Sequence, residues 1–208
     1  MVITPGAGEL APIAIGVVLT ALVFAGGHIS GAHYNPAVTL AVLIRGRTNV
    51  GEAAGYWVAQ IVGAALAALA VGFLKGDAAI TPLQPAAGPA LLAEFLFTFA
   101  LAYVVLNVAT AKGNEGNSHY GLAIGFTVMA GAYAVGGISG GAFNPAVAVG
   151  ITMLGLVGAS SIWIYLVANL AGAAAAALLF NALELGNDKP TAATAAQQAG
   201  LRAQADPS

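Results

Sequence analysis

The sequence predicts an all-α membrane protein: an inverted-repeat bundle of five spanning helices plus two re-entrant half-helices. Three observations predict it. Of 208 residues, 59% are hydrophobic and 7% charged, whereas a soluble domain carries about 25% charged residues, so most of the surface must face lipid. Five stretches approach the roughly 20 apolar residues that cross a bilayer. A segment around Asn35 also recurs 109 positions later, around Asn144.

The five long apolar stretches are residues 11–27, 52–74, 90–110, 120–137 and 161–183, the first and fourth being the shortest. Two further apolar stretches, 35–44 and 144–155, are half as long. At about 1.5 Å per residue each covers about half a bilayer. Such a segment must be buried in protein, because lipid offers no partner to its open backbone groups. Gly121-x3-Gly125, Gly63-x3-Ala67 and Gly172-x3-Ala176 are small-residue pairs expected to let helices approach closely. Tyr56, Trp57, Trp163 and Tyr165 stand near span starts, where interfacial aromatics are expected.

Basic residues set the expected orientation. Arg45, Arg47, Lys112, Lys189 and Arg202 fall on one face if each short stretch re-enters on its own side, and Lys75 alone falls on the other. That imbalance predicts a multi-pass protein of the cell membrane with the C-terminus in the cytoplasm and the N-terminus outside. Residues 1–184 are expected to form one transmembrane domain, and 185–208 a disordered cytoplasmic tail rich in Ala, Gln and Thr. Residues 1–11 lack the basic region of a signal peptide, so no cleaved leader is expected. The net charge of −2 gives no hint of a nucleic-acid partner. The absence of cysteine excludes disulfides and thiol chemistry. Neither a metal nor a cofactor is expected, and an enzyme reading has no support in any nucleophile–base set, phosphate loop or metal cluster.

The repeat is the strongest signal. Gly27-His28-Ile29-Ser30-Gly31-Ala32-His33-Tyr34-Asn35-Pro36-Ala37-Val38 aligns with Gly136-Gly137-Ile138-Ser139-Gly140-Gly141-Ala142-Phe143-Asn144-Pro145-Ala146-Val147. Three spans separate the copies, and an odd number inverts their topology, the arrangement that builds a site at the bilayer midplane. Repeat one covers 1–75 and repeat two 90–184. Repeat two opens with the span 90–110, which holds Glu94 and Thr98; the offset leaves repeat one without that opening helix.

In each Asn-Pro-Ala, Asn35 or Asn144 suits the N-cap, and Pro36 or Pro145 the first helical position. Two opposed half-helices bring two N-termini together at the midplane, each carrying about +0.5 charge from its dipole. Cations are repelled there. The Asn amides supply N–H donors and the loop carbonyls supply acceptors along an apolar wall. Such a site suits small neutral hydroxylic solutes. An ion-coupled transporter, which inverted repeats also build, needs intramembrane ionisable groups, and only Glu94 lies clearly inside a span.

At this point a resemblance becomes specific. Gly27 to Thr39 and Ser139 to Ala146 are similar to the two signature loops of the aquaporin and glycerol-facilitator (major intrinsic protein) family, and Ala93-Glu94-Phe95-Leu96-Phe97-Thr98 resembles the start of that family's fourth helix. The resemblance runs over about residues 11–183. It implies an aquaporin-like bundle of six spans and two half-helices, a homotetramer with one pore per subunit, and passive passage of water or small neutral solutes through the bilayer. It implies pore positions Asn35, Pro36, Ala37, Asn144, Pro145 and Ala146. By gapless counting it also implies a filter of Ile15, Ala132, Gly141 and Val147, with Val147 standing where the family carries an arginine. It places His33 at the cytoplasmic vestibule, and makes Glu94 and His28 structural supports. A filter that is wide, uncharged and apolar is expected to admit glycerol, urea, hydrogen peroxide or a dissolved gas. The alternative is a truncated, non-conducting channel-like subunit.

Overall fold

The computed structural model describes residues 8–76 and 81–183. The expected tail at 185–208 and most of the expected leaderless start lie outside the described residues. Among the described residues seven α-helices follow in order: α1 (Ala11–Ser30), α2 (Pro36–Ile44), α3 (Val50–Lys75), α4 (Ala87–Thr110), α5 (Tyr120–Ser139), α6 (Pro145–Met153) and α7 (Ile162–Ala182). Five of these helices are long and apolar enough to cross a membrane, and α2 and α6, at nine residues each, are not.

Local chemistry accounts for the helix ends. The helices α1 and α5 run a few residues past the expected stops at 27 and 137, to Ser30 and Ser139, where Gly31 (φ 68°) and Gly140 (φ 88°) end them in the left-handed region, a conformation that glycine adopts without a Cβ penalty. The start of α3 lies two residues before the expected position. Asn49 caps it by accepting from the Glu52 N–H at 2.9 Å, while the Asn49 N–H donates to the Glu52 carboxylate at 3.2 Å, a reciprocal capping box. Helix α6 stops at Met153 and not at 155, because Gly155 (φ 69°) turns the chain.

Packing follows the repeat. The α1–α5 pair crosses closely: a Cβ on Gly125 would lie 2.0 Å from Thr20 Oγ1 and 2.4 Å from the Gly16 carbonyl oxygen, and one on Gly121 would meet the Phe24 ring. The α4–α7 pair crosses at Gly172, where a Cβ would lie 2.5 Å from the Phe95 carbonyl oxygen. The half-helices cross over, α2 packing against α7 and α6 against α3. The third small-residue pair differs. Gly63 on α3 has nothing within 4 Å of a built Cβ, and Ala67 is exposed, so the expected helix contact is absent among the described residues. The reason is the repeat itself: α3 corresponds to α7, whose Gly172 packs on α4, and among the described residues no first-half helix corresponds to α4.

Candidate functional site: the junction of two half-helices

The two loops before α2 and α6 share one backbone path. Left-handed φ values occur at Gly31 (68°), Ala32 (48°) and Tyr34 (47°), and at the corresponding Gly140 (88°), Gly141 (66°) and Phe143 (48°). A left-handed non-glycine residue costs on the order of 1–2 kcal/mol, so three such residues need external support. Each loop ends on its Asn in extended conformation, φ −154° at Asn35 and −161° at Asn144.

Each Asn side chain is fixed at both ends. Asn35 Oδ1 accepts from the Ala37 N–H at 2.9 Å, and Asn144 Oδ1 accepts from Ala146 at 2.9 Å and Val147 at 3.4 Å. The Nδ2 groups reach across the repeat boundary: Asn35 donates to the Phe143 carbonyl at 2.8 Å and Asn144 to the Tyr34 carbonyl at 2.9 Å. The reverse amide orientation would set donor against donor at the helix N-terminus, so the network fixes which atom faces which way. One N–H of each amide remains after these bonds. With the oxygens held by the helices, each Asn keeps donor character alone toward the space beside it.

That space is a cavity of about 1080 Å³ lined by both Asn residues, by His33 and by Ile15, Ala132, Gly141 and Val147. The four positions counted from the sequence therefore share one cavity with the two Asn residues. Their side chains add no charge to its wall.

The supports of the two loops differ. Glu94, fully buried on α4, accepts from Ser139 Oγ at 2.7 Å, the Ala142 N–H at 2.9 Å and the Phe143 N–H at 2.7 Å. One carboxylate thus satisfies three donors of the second loop, which is how a buried acid is tolerated. Thr98, one turn on, donates to Asn169 Oδ1 on α7 at 3.0 Å. Tyr165 donates its hydroxyl to the Ser139 carbonyl. The first loop is held from α3: the Tyr56 hydroxyl donates to the Ser30 carbonyl at 2.6 Å, Trp57 Nε1 to the Pro36 carbonyl at 3.1 Å, and Gln60 Nε2 to Thr39 Oγ1 at 2.9 Å. His33 is half-buried, shares a 3.1 Å hydrogen bond with Thr39 Oγ1, and stacks on Tyr56 with ring centroids 4.6 Å apart.

Two expectations change. Tyr165 is fully buried and supports the second loop, so it is no interfacial anchor; Tyr56 and Trp57 are half-buried and donate to the first loop and the start of α2, and Trp163, 48% exposed, stays at the surface. Tyr56 and Tyr165 are also 109 positions apart, as are Gln60 and Asn169, a signal already in the repeat outside its most similar stretch. His28 lies exposed on the last turn of α1 and its side chain makes no hydrogen bond among the described residues, so nothing in the geometry gives it a supporting role.

Two opposed, Asn-capped half-helices meeting inside a bundle of spanning helices define a class of membrane protein with a site at the repeat junction. The model of the major intrinsic protein family matches residues 6–180 and 118–205, and the chain belongs to that family. It is 40% identical to a probable aquaporin, TIP3-2, of Arabidopsis thaliana over 85% of this chain and 68% of that one. It is 35% identical to aquaporin NIP1-4 of Oryza sativa subsp. japonica, over 85% and 66%, and 38% identical to aquaporin NIP1-1 of the same plant, over 83% and 61%. The chain thus spans about two thirds of the length of these relatives. Its fold is similar to that of the aquaglyceroporin from Plasmodium falciparum, with a TM-score of 0.72 at 21% identity over 86% of this chain and 84% of that one. Five spanning helices and this membership make it a multi-pass membrane protein.

Proposed function

We propose that the chain forms a passive path for water or small neutral solutes, with a range that takes in glycerol, urea, hydrogen peroxide or a dissolved gas. The observation that carries the reading is the pair of Asn amides held as donors beside one cavity. A water or alcohol oxygen accepts from both, while the two helix dipoles repel cations. Ile15, Ala132, Gly141 and Val147 act as the filter. With no guanidinium at Val147, the filter sets neither a tight steric limit nor a fixed charge. His33 sits at the cytoplasmic vestibule, Glu94 supports the second loop, and residues 185–208 form a cytoplasmic tail. The working protein is a homotetramer in the cell membrane with its C-terminus in the cytoplasm, an orientation supported by the basic residues.

Stopped-flow swelling of proteoliposomes tests this with water and then glycerol. Flux of both is expected. Val147→Arg is expected to cut glycerol flux about ten-fold, a loss of about 1.4 kcal/mol at the barrier, and to leave water flux within about two-fold. Strong water flux with no glycerol flux in the unaltered chain overturns the broad range, and an unchanged range in Val147→Arg refutes the filter assignment.

A second reading, a channel-like subunit that does not conduct, is favoured by the open face of α3. Absence of any solute flux from a folded, inserted chain would select it.

A further inference from the structure

Each half-helix ends in the same turn, and the two turns carry opposite chemistry. After α2 the N–H groups of Arg45, Gly46 and Arg47 donate to the Ala41, Leu43 and Val42 carbonyls at 2.9–3.1 Å, with Gly46 left-handed at φ 76°. After α6 the N–H groups of Leu154, Gly155 and Leu156 donate to the Gly150, Thr152 and Ile151 carbonyls, again at 2.9–3.1 Å, with Gly155 at φ 69°. Both are helix stops in which a left-handed glycine returns the chain's N–H groups to the last turn. The glycine is flanked by Arg45 and Arg47 in one copy and by Leu154 and Leu156 in the other.

The chain itself covers the leucine turn. The Leu83 N–H donates to the Leu156 carbonyl at 2.9 Å, and the Gly158 N–H donates to the Leu83 carbonyl at 3.3 Å. Leu83 and Leu156 pack on one core with the buried Val157. The arginine turn has no such cover among the described residues: no extended segment bonds to it, and Gly46, Arg47 and Asn49 are exposed. Neither guanidinium has a carboxylate within ion-pair distance there. Glu52, the nearest acid along the chain, is taken by the Thr48 hydroxyl at 2.8 Å and the Asn49 N–H at 3.2 Å. Arg45 Cζ stands 5.2 Å from the centre of the Phe180 ring on α7, and Arg45 Nε is buried with no hydrogen-bond partner. Burial, and then the charge of Arg47, hold the Arg45 guanidinium below its usual range. Two like charges thus share one turn with no acid to balance them.

Apolar surface adjoins the pair. Leu179 and Leu183, 40% and 54% exposed, flank Phe180 on the last turns of α7, and Val50, 70% exposed, opens α3. A free anion makes no use of such surface, whereas an amphiphile uses both parts.

We propose that the Arg45–Arg47 turn binds the phosphate of an anionic phospholipid, whose acyl chains lie along the exposed apolar ends of α7 and α3 in the adjoining leaflet. The phosphate oxygens accept from the terminal N–H groups of both arginines, an arrangement that suits the planar guanidinium fork. The headgroup covers the arginine turn as the Leu83 segment covers the leucine turn.

Native mass spectrometry of the full chain in detergent tests this. Phosphatidylglycerol and phosphatidylcholine of the same acyl chains are offered at equal concentration, and bound lipid is read as mass adducts. The anionic lipid is expected to be preferred about thirty-fold, about five-fold for each arginine near the membrane surface. Arg47→Gln and Arg45→Gln are each expected to lower the preference to about five-fold, and the double variant to abolish it. Arg47 is exposed, so Arg47→Gln tests the site even where Arg45→Gln disturbs the packing on Phe180. Lys75→Gln removes one positive charge at the opposite end of α3 and is expected to leave the preference unchanged. Equal uptake of the two lipids overturns the site, as does a preference that survives Arg47→Gln. A loss in Lys75→Gln equal to that in Arg47→Gln reduces the effect to overall charge and also overturns it. Glycerol 3-phosphate, which offers the phosphate without chains, is added as a competitor and is expected to leave the lipid bound. Displacement at equimolar concentration would make the occupant a free phosphate and overturn the lipid assignment. The readout is lipid uptake, so it stands or falls independently of solute flux.

Discussion

The first and second half-helix loops have the same shape and unequal support. Both follow one sequence of left-handed residues, both end in an Asn N-cap, and each donates to the other's carbonyl at 2.8–2.9 Å. Yet the second loop rests on a buried carboxylate with three donors, while the first is held by Tyr56, Trp57 and Gln60 on α3 and by its own Tyr34 hydroxyl, which donates to the Leu22 carbonyl on α1 at 3.3 Å. The spans behind them differ likewise: 44% of the most apolar window in residues 159–182 is buried, against 11% in α3. A loop conformation can thus be written locally and repeated, while the groups that keep it in place come from elsewhere and need not be repeated.

Substitutions at paired positions break or sharpen this comparison. The largest difference is expected at Gly172 and Gly63. Gly172→Val drives a side chain into the Phe95 backbone, 2.5 Å from the Cβ position, and is expected to cost about 4 kcal/mol or more, or to prevent folding. Gly63→Val is expected to change stability by less than about 1 kcal/mol, since its outer side is open. Thermal unfolding in detergent, followed by circular dichroism, separates the two.

Glu94→Gln comes next. An amide can accept at one atom only, so at least one of the Ser139, Ala142 and Phe143 donors then faces another donor. The expected cost is about 2–3 kcal/mol, with reduced solute flux as the second loop loosens. A stability equal to that of the unaltered chain would remove Glu94 from the support of the loop.

A smaller contrast is expected between the paired tyrosines. Tyr165→Phe leaves the Ser139 carbonyl unpaired in a fully buried place and is expected to cost about 1–2 kcal/mol. Tyr56→Phe acts at a part-buried bond and is expected to cost about half as much, because water or headgroups can replace the donor. Equal losses in the two unfolding midpoints would mean that the loops are supported alike.

His28→Ala is the smallest, within about 0.5 kcal/mol, because the side chain is exposed and makes no hydrogen bond among the described residues. A larger loss of stability would reveal a contact that the geometry does not contain.

Much of this arrangement is legible in the sequence. Two apolar stretches too short to span, each opened by Asn-Pro-Ala, specify capped half-helices, because N-capping and the missing proline N–H are properties of one residue and its nearest neighbours. The offset of 109 specifies which segments correspond, and an acid inside an apolar span, Glu94, signals a need for partners. The identity of those partners is a different matter. Tyr56 and Tyr165 read as interfacial aromatics until the fold turns their hydroxyls onto Ser30 and Ser139, each 26 residues earlier in the chain. Gly63 and Gly172 carry the same local pattern, and only the presence of α4 beside one of them makes the first open and the second closed. The sequence by itself determined the half-helices, their caps and their pairing, since each depends on a few consecutive residues. The tertiary structure alone decided which donors find an acceptor and which helix face finds a neighbour, because both require distant segments to meet in space.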